Sequence, residues 1–123
     1  VDSNLIYLFV YGSLKKNKHN HSFLANQQYL GKYFTNNSYT LVISGLPFLV
    51  ERPGIGCLGE LYKVTPQCLA IIDRLEDHPD WYERKIIPVY DTEVGSMVEA
   101  HAYIHPDIFN KQYTYEHHVS KEY

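Results

Sequence analysis

Six apolar residues in succession, Leu5-Ile6-Tyr7-Leu8-Phe9-Val10, run straight into Tyr11-Gly12-Ser13-Leu14. Polar alternation is missing and the run is only strand-length, so it reads as a central strand buried on both faces. The Gly-Ser pair ends it with a clear break. Beyond the last ladder bond of such a strand, backbone N–H groups are exposed that no neighbouring strand uses. Glycine lets the chain turn through positive φ and lets a ligand approach the backbone. Adjacent N–H groups pointing one way form a concavity suited to a carboxylate or a developing oxyanion, and Ser13 adds a hydroxyl. Taken alone, however, a Gly-Ser after a strand is a turn; it has neither phosphate-loop spacing nor a dinucleotide fingerprint.

Further along, Tyr29–Thr35 and Tyr39–Ile43 read as strands around the turn cluster Asn36-Asn37-Ser38, with Phe48–Val50 and Cys57–Val64 following. Arg84–Tyr90 and Met97–Ile104 complete the set across a turn at Gly95-Ser96, and Pro88 marks an edge strand or a bulge. His19–Asn26 suits a short helix carrying Phe23 and Leu24. Thr65-Pro66 announces a second, with Thr as N-cap and Pro in the first turn, running through Leu75 and stopping before Pro79. Strands outnumber helices, and the helices are inserted rather than alternating. This predicts an α+β fold with a curved or barrel-like mixed sheet.

The length of 123 residues fits one compact domain over 1–123, with residues after about 106 a loosely packed tail that docks or frays. Twelve tyrosines and five phenylalanines agree with a β-rich fold. A formal charge of −3 gives no reason to expect nucleic acid or an anionic membrane, and no apolar run is long enough to span a bilayer. The basic run Lys15, Lys16, Lys18 reads as a solvated loop. Cys57 and Cys68 match no disulfide framework or zinc motif and read as free thiols in a reducing compartment, which makes the cytoplasm the expected location. Seven histidines raise the idea of a metal enzyme, but His19/His21 and His117-His118 have no standard ligand spacing.

The second helix carries the sharper chemical signal. At helical phase Cys68, Ile71, Ile72 and Leu75 share one face, and Glu76 lies on its flank, in line with Leu69 one heptad earlier. Asp73, Arg74 and Asp77 project elsewhere, toward water. A half-buried carboxylate must be paired, hydrogen-bonded or protonated, and desolvation moves its pKa toward the range of proton transfer near neutrality. Two readings stay open: a buried ion pair, with Arg84 as partner, or a general acid/base. Glu60 and Glu83 lie in strand contexts where alternation can place them outward.

The segment Phe9-Val10-Tyr11-Gly12-Ser13-Leu14-Lys15, followed by Asn20-His21, resembles the opening of γ-glutamyl cyclotransferase-like proteins. The similarity continues through Leu41–Gly45, Gly59–Val64, Leu75-Glu76 and Trp81–Arg84, in the family's order, and looks most like the γ-glutamylamine cyclotransferase and plant AIG-type branch. The resemblance implies a small mixed β-barrel with flanking helices. It implies a substrate-binding loop at Tyr11, Gly12, Ser13 and Leu14, and Glu76 as catalytic acid/base. It further implies a small-molecule γ-glutamyl substrate cyclised to 5-oxoproline without a metal or organic cofactor. Residues after about Pro106 match nothing and inherit no role. The alternative function is a non-catalytic binding or interaction module of the same fold.

Overall fold

The computed structural model describes residues 4–108 and 118–123. Among the described residues, eight strands and one α-helix follow in the order β1 (Ile6–Val10), β2 (Gln28–Thr35), β3 (Thr40–Ser44), β4 (Leu46–Val50), β5 (Leu58–Val64), α1 (Pro66–Leu75), β6 (Glu83–Asp91), β7 (Met97–Ile104) and β8 (His118–Ser120). Five strands close a barrel in the order β1-β5-β2-β6-β7, and β4-β3-β8 form a second sheet. Closure is made by the parallel pairing of β1 with β7, Leu8 opposite His101; the other barrel pairs are antiparallel, so the barrel is mixed. The expected α+β barrel architecture is thus present, and closure leaves β1 without a free edge.

Within β1 the absence of alternation has the anticipated cause from Leu8 onward. Leu8 and Val10 enter a core cluster with Leu69 and Ile72 of α1, while Phe9 enters the other cluster with Leu61, Ile87 and Ala102. Tyr7, at the start of the run, is partly exposed. Pro88 fits because the ladder between β2 and β6 ends at the pair Thr35–Val89, one residue before it.

Several expectations need correction. His19–Asn26 holds only a 3₁₀ turn at His21–Leu24, with Leu24 buried and Phe23 exposed; eight residues with few apolar anchors give too little packing to support an α-helix. Lys15 is not solvated: it is buried, and its Nζ donates to the Tyr123 carbonyl at 2.7 Å and lies 3.5 Å from Glu122. Those residues follow β8, whose three-residue pairing with β3 was not foreseen. His117 and most of the tail lie outside the described residues. Glu60 points inward, accepting from Lys16 N at 2.9 Å and from the Tyr62 hydroxyl at 3.1 Å, whereas Glu83 faces out. Cys57 and Cys68 are buried free thiols, and desolvation pushes Cys57 up to about 12. No described helix is long and apolar enough to cross a membrane, and no group of three or more His, Cys, Asp or Glu is gathered to hold a metal ion among the described residues.

Candidate functional site

A cavity of about 210 Å³ opens where β1 ends. Its walls bring together Tyr11, Gly12, Ser13, Leu14 and Glu76, the five positions singled out in the sequence, with Asn20, Pro47, Trp81, Tyr82 and Tyr103. The volume is below the range of drug-sized ligand sites and suits a small metabolite.

The loop after β1 is held by its own backbone and by two side chains. Lys15 N donates to the Gly12 carbonyl at 3.1 Å and Asn20 N to the Ser13 carbonyl at 3.0 Å. Asn20 Nδ2 donates to Ser13 Oγ at 2.8 Å, which leaves the serine proton for another acceptor. His21 Nδ1 lies 3.0 Å from the Leu14 carbonyl. The N–H groups of Gly12, Ser13 and Leu14 meet no acceptor among the described residues. Gly12, Ser13 and Leu14 also line the cavity wall, so their N–H groups are available at its edge. The glycine serves a different purpose from the one anticipated. Gly12 is not in the positive-φ region; a Cβ there would stand 2.7 Å from Pro47 Cγ, so it is the approach of β4 that excludes a side chain.

Glu76 reaches the opposite wall through the way α1 ends. Thr65 caps the start, its hydroxyl accepting from Cys68 N at 3.1 Å. At the other end Asp77 N donates to the Arg74 carbonyl at 3.2 Å and His78 N to the Asp73 carbonyl at 2.9 Å, with Asp77 at φ 53. That is a Schellman closure with an aspartate in the left-handed position where glycine is preferred. Glu76 is therefore the C-cap, fixed by its N–H to the Ile72 carbonyl at 2.9 Å. Asp77→Gly is expected to stabilise the fold by about 1 kcal/mol, since glycine removes the left-handed strain and a negative charge leaves the helix C-terminus; a thermal melt checks it.

The helix phase also needs adjustment. Cys68, Leu69 and Ile72 are the buried face, while Ile71 and Leu75 are partly exposed. Glu76 continues the Leu69–Ile72 line inward. Arg84 is not its partner. Arg84 Nε and a terminal nitrogen grip both oxygens of Asp73 at 2.8 and 3.2 Å, and its other nitrogen lies 2.8 Å from His101 Nδ1. Asp73, expected in water, is half-buried and also accepts from the Tyr103 hydroxyl at 2.7 Å. Burial pushes its carboxyl up, but the bonds from Arg84 and Tyr103 outweigh this and hold it below its ordinary value.

Glu76 has no such help. Its side chain meets no hydrogen-bond or ion-pair partner among the described residues, and burial raises its pKa to about 7. Three tyrosines surround it electrostatically, yet each spends its proton elsewhere: Tyr11 on the Tyr103 carbonyl at 2.6 Å, Tyr82 on the Pro47 carbonyl at 2.8 Å, and Tyr103 on Asp73. Desolvation first, and then Tyr82 for Tyr11, Glu76 for Tyr82 and the hydrogen bond to Asp73 for Tyr103, push all three phenols up, so they stay protonated. What remains among the described residues is one carboxyl without a partner, poised near neutrality, in a cavity lined also by Gly12, Ser13 and Leu14, whose N–H groups are unspent.

Sequence reasoning missed Pro47, Tyr82 and Tyr103 as parts of this wall. Tyr103 sits where the end of β7 is buried on both faces, so alternation gives no signal there.

The family model described as gamma-glutamyl cyclotransferase, AIG2-like, matches residues 8–123. The chain belongs to this family. A Methanocaldococcus jannaschii protein, provisionally named a gamma-glutamylcyclotransferase, is 39% identical over 103 residues, covering 82% of this chain and 85% of its own. A Danio rerio gamma-glutamylaminecyclotransferase C is 37% identical over 123 residues, covering 85% and 81%. The crystal structure of an AIG2-like protein from Mus musculus superposes with a TM-score of 0.83 at 28% identity, covering 98% of this chain and 88% of that one. Family membership accounts for the barrel, and the function it supports is that of the gamma-glutamyl cyclotransferase family.

Proposed function

We propose that this chain cyclises γ-glutamylamines, with Glu76 as the general acid/base and Tyr11–Leu14 as the substrate loop. The observation that carries the reading is the unpartnered, half-buried Glu76 carboxyl sharing one small cavity with the unspent N–H groups of Gly12, Ser13 and Leu14. The names of the Danio rerio relative and others like it point to amine-bearing substrates.

The reaction is an intramolecular aminolysis. The substrate's α-amino nitrogen attacks its own γ-carbonyl carbon, the ring C–N bond forms, and the C–N bond to the leaving amine breaks. Because the α-amine is largely protonated at neutral pH, a base must take a proton before or during attack. The α-ammonium releases one proton to solvent, Glu76 takes the second as the ring closes and delivers it to the departing nitrogen, so 5-oxoproline and a free amine leave and the carboxylate is restored. The loop N–H groups hold the γ-glutamyl portion and stabilise charge on the tetrahedral intermediate. Confining the chain in a ring-like conformer supplies proximity.

Incubation of the purified protein with a panel of γ-glutamylamines, γ-glutamyl dipeptides and glutathione, read by mass spectrometry, is expected to show 5-oxoproline from the amines. Binding of the panel without 5-oxoproline from any member contradicts the reading and leaves a non-catalytic module.

A further inference from the structure

Three of the large apolar side chains left in solvent line the same cavity: Leu46 is 51% exposed, Trp81 45% and Leu75 38%. They arrive from separate parts of the chain, Leu46 from the start of β4, Leu75 from the last turn of α1 and Trp81 from the segment before β6. Trp81 is braced on one side. His105 packs edge-on to it at 4.7 Å between centroids, Phe48 at 6.1 Å and Tyr82 at 6.5 Å, all at steep interplanar angles. Its backbone N–H is tied to the Asp77 carbonyl at 2.8 Å. Beyond these contacts nearly half of the indole surface is left in water, in a cavity that two exposed leucines also line. Among the described residues no lysine or arginine lines the cavity, Glu76 is its one acid and His19 its one histidine.

We infer that Leu46, Leu75 and Trp81 form the leaving-group subsite, a shelf that selects γ-glutamyl amides whose nitrogen carries an uncharged aliphatic or aromatic chain. The inference rests on the cyclotransferase reading only for which end of the substrate lies on the shelf. Leu75 and Trp81 line the cavity together with Glu76, so a chain attached to the nitrogen that Glu76 protonates meets an apolar wall. A leaving amino acid would instead bring its carboxylate beside the amide, where no cationic lysine or arginine of the wall meets it and Glu76 repels it.

Trp81 is the single tryptophan in the sequence, so its emission reports the shelf directly. Titration of the wild-type protein with γ-glutamyl methylamide, propylamide and pentylamide is expected to shift that emission to the blue. The Kd should fall by roughly threefold to fourfold per added methylene, the gain for burying each one. Calorimetry on Trp81→Ala should show the methylamide bound within about threefold of wild type and the chain-length gain lost. Leu46→Ala, at a half-exposed site, should flatten the series less. Unchanged emission at saturation, equal affinities across the series, or an equal loss for every compound in Trp81→Ala overturns the shelf. The two readings fail separately. Chain-length-dependent binding without 5-oxoproline keeps the shelf and refutes the cyclotransferase; 5-oxoproline release with a KM indifferent to chain length does the reverse.

Discussion

Replacing Glu76 by glutamine is expected to lower turnover by roughly 10²- to 10⁴-fold, the range attributable to a lost general acid/base, while making the fold more stable above pH 7. The two effects have one origin. Burial raises the folded-state pKa of Glu76 from 4.5 to about 7. For an acid whose folded pKa is raised, ionisation is harder in the folded state than in the unfolded chain. Its penalty is absent below about pH 4.5, grows between there and 7, and is complete above 7, where it reaches on the order of 3 kcal/mol before discounting for solvent at the cavity mouth. Glutamine keeps the shape and carries no charge. The Tm of Glu76→Gln should match wild type near pH 4.5 and exceed it at pH 8. A variant no more stable at pH 8 than at pH 4.5, relative to wild type, shows that Glu76 is not desolvated as described. The carboxyl proposed as the general acid/base is thus also a local cost to the fold, as expected of a functional site.

The largest stability loss is expected at Gly59. A Cβ there would lie 2.4 Å from the Val10 carbonyl oxygen and 2.7 Å from Phe9 Cζ. Neither can give way cheaply: the oxygen belongs to the β1 backbone, and Phe9 is fully buried. Gly59→Ala should cost about 3 kcal/mol, read as a lower urea midpoint at unchanged slope. Gly95→Ala is the contrast, since Gly95 has positive φ but no atom within 4 Å of a Cβ, so only backbone strain of about 1 kcal/mol is expected. Because Val10 leads directly into Tyr11–Leu14, Gly59→Ala should also weaken substrate binding. Equal losses in the two variants argue against close strand approach as the role of Gly59.

What could be read from the sequence divides along physical lines. Strands with strong apolar content were placed to within a residue or two because local composition determines them: β7 was expected at its observed bounds, Met97–Ile104. Glu76 was legible because a helix projects its side chains at a fixed phase, and Thr65-Pro66 set where that phase begins. The partners were not legible. Whether Arg84 would meet Asp73 or Glu76 depends on how β6 crosses the end of α1, a tertiary distance with no local signature. The role of Gly12 was misread for the same reason, since Pro47 lies far from it in sequence. Lys15 and β8 show the limit from the other side: a buried lysine is secured by Tyr123 at the other end of the chain, and a three-residue strand by pairing with β3, far from it in sequence.

The central claim is most directly tested by following 5-oxoproline release from one γ-glutamylamine at pH 8, with wild type and Glu76→Gln side by side and the folding of both verified. The account predicts steady release by wild type and at least a hundredfold slower release by the variant. Equal rates in the two proteins would contradict it.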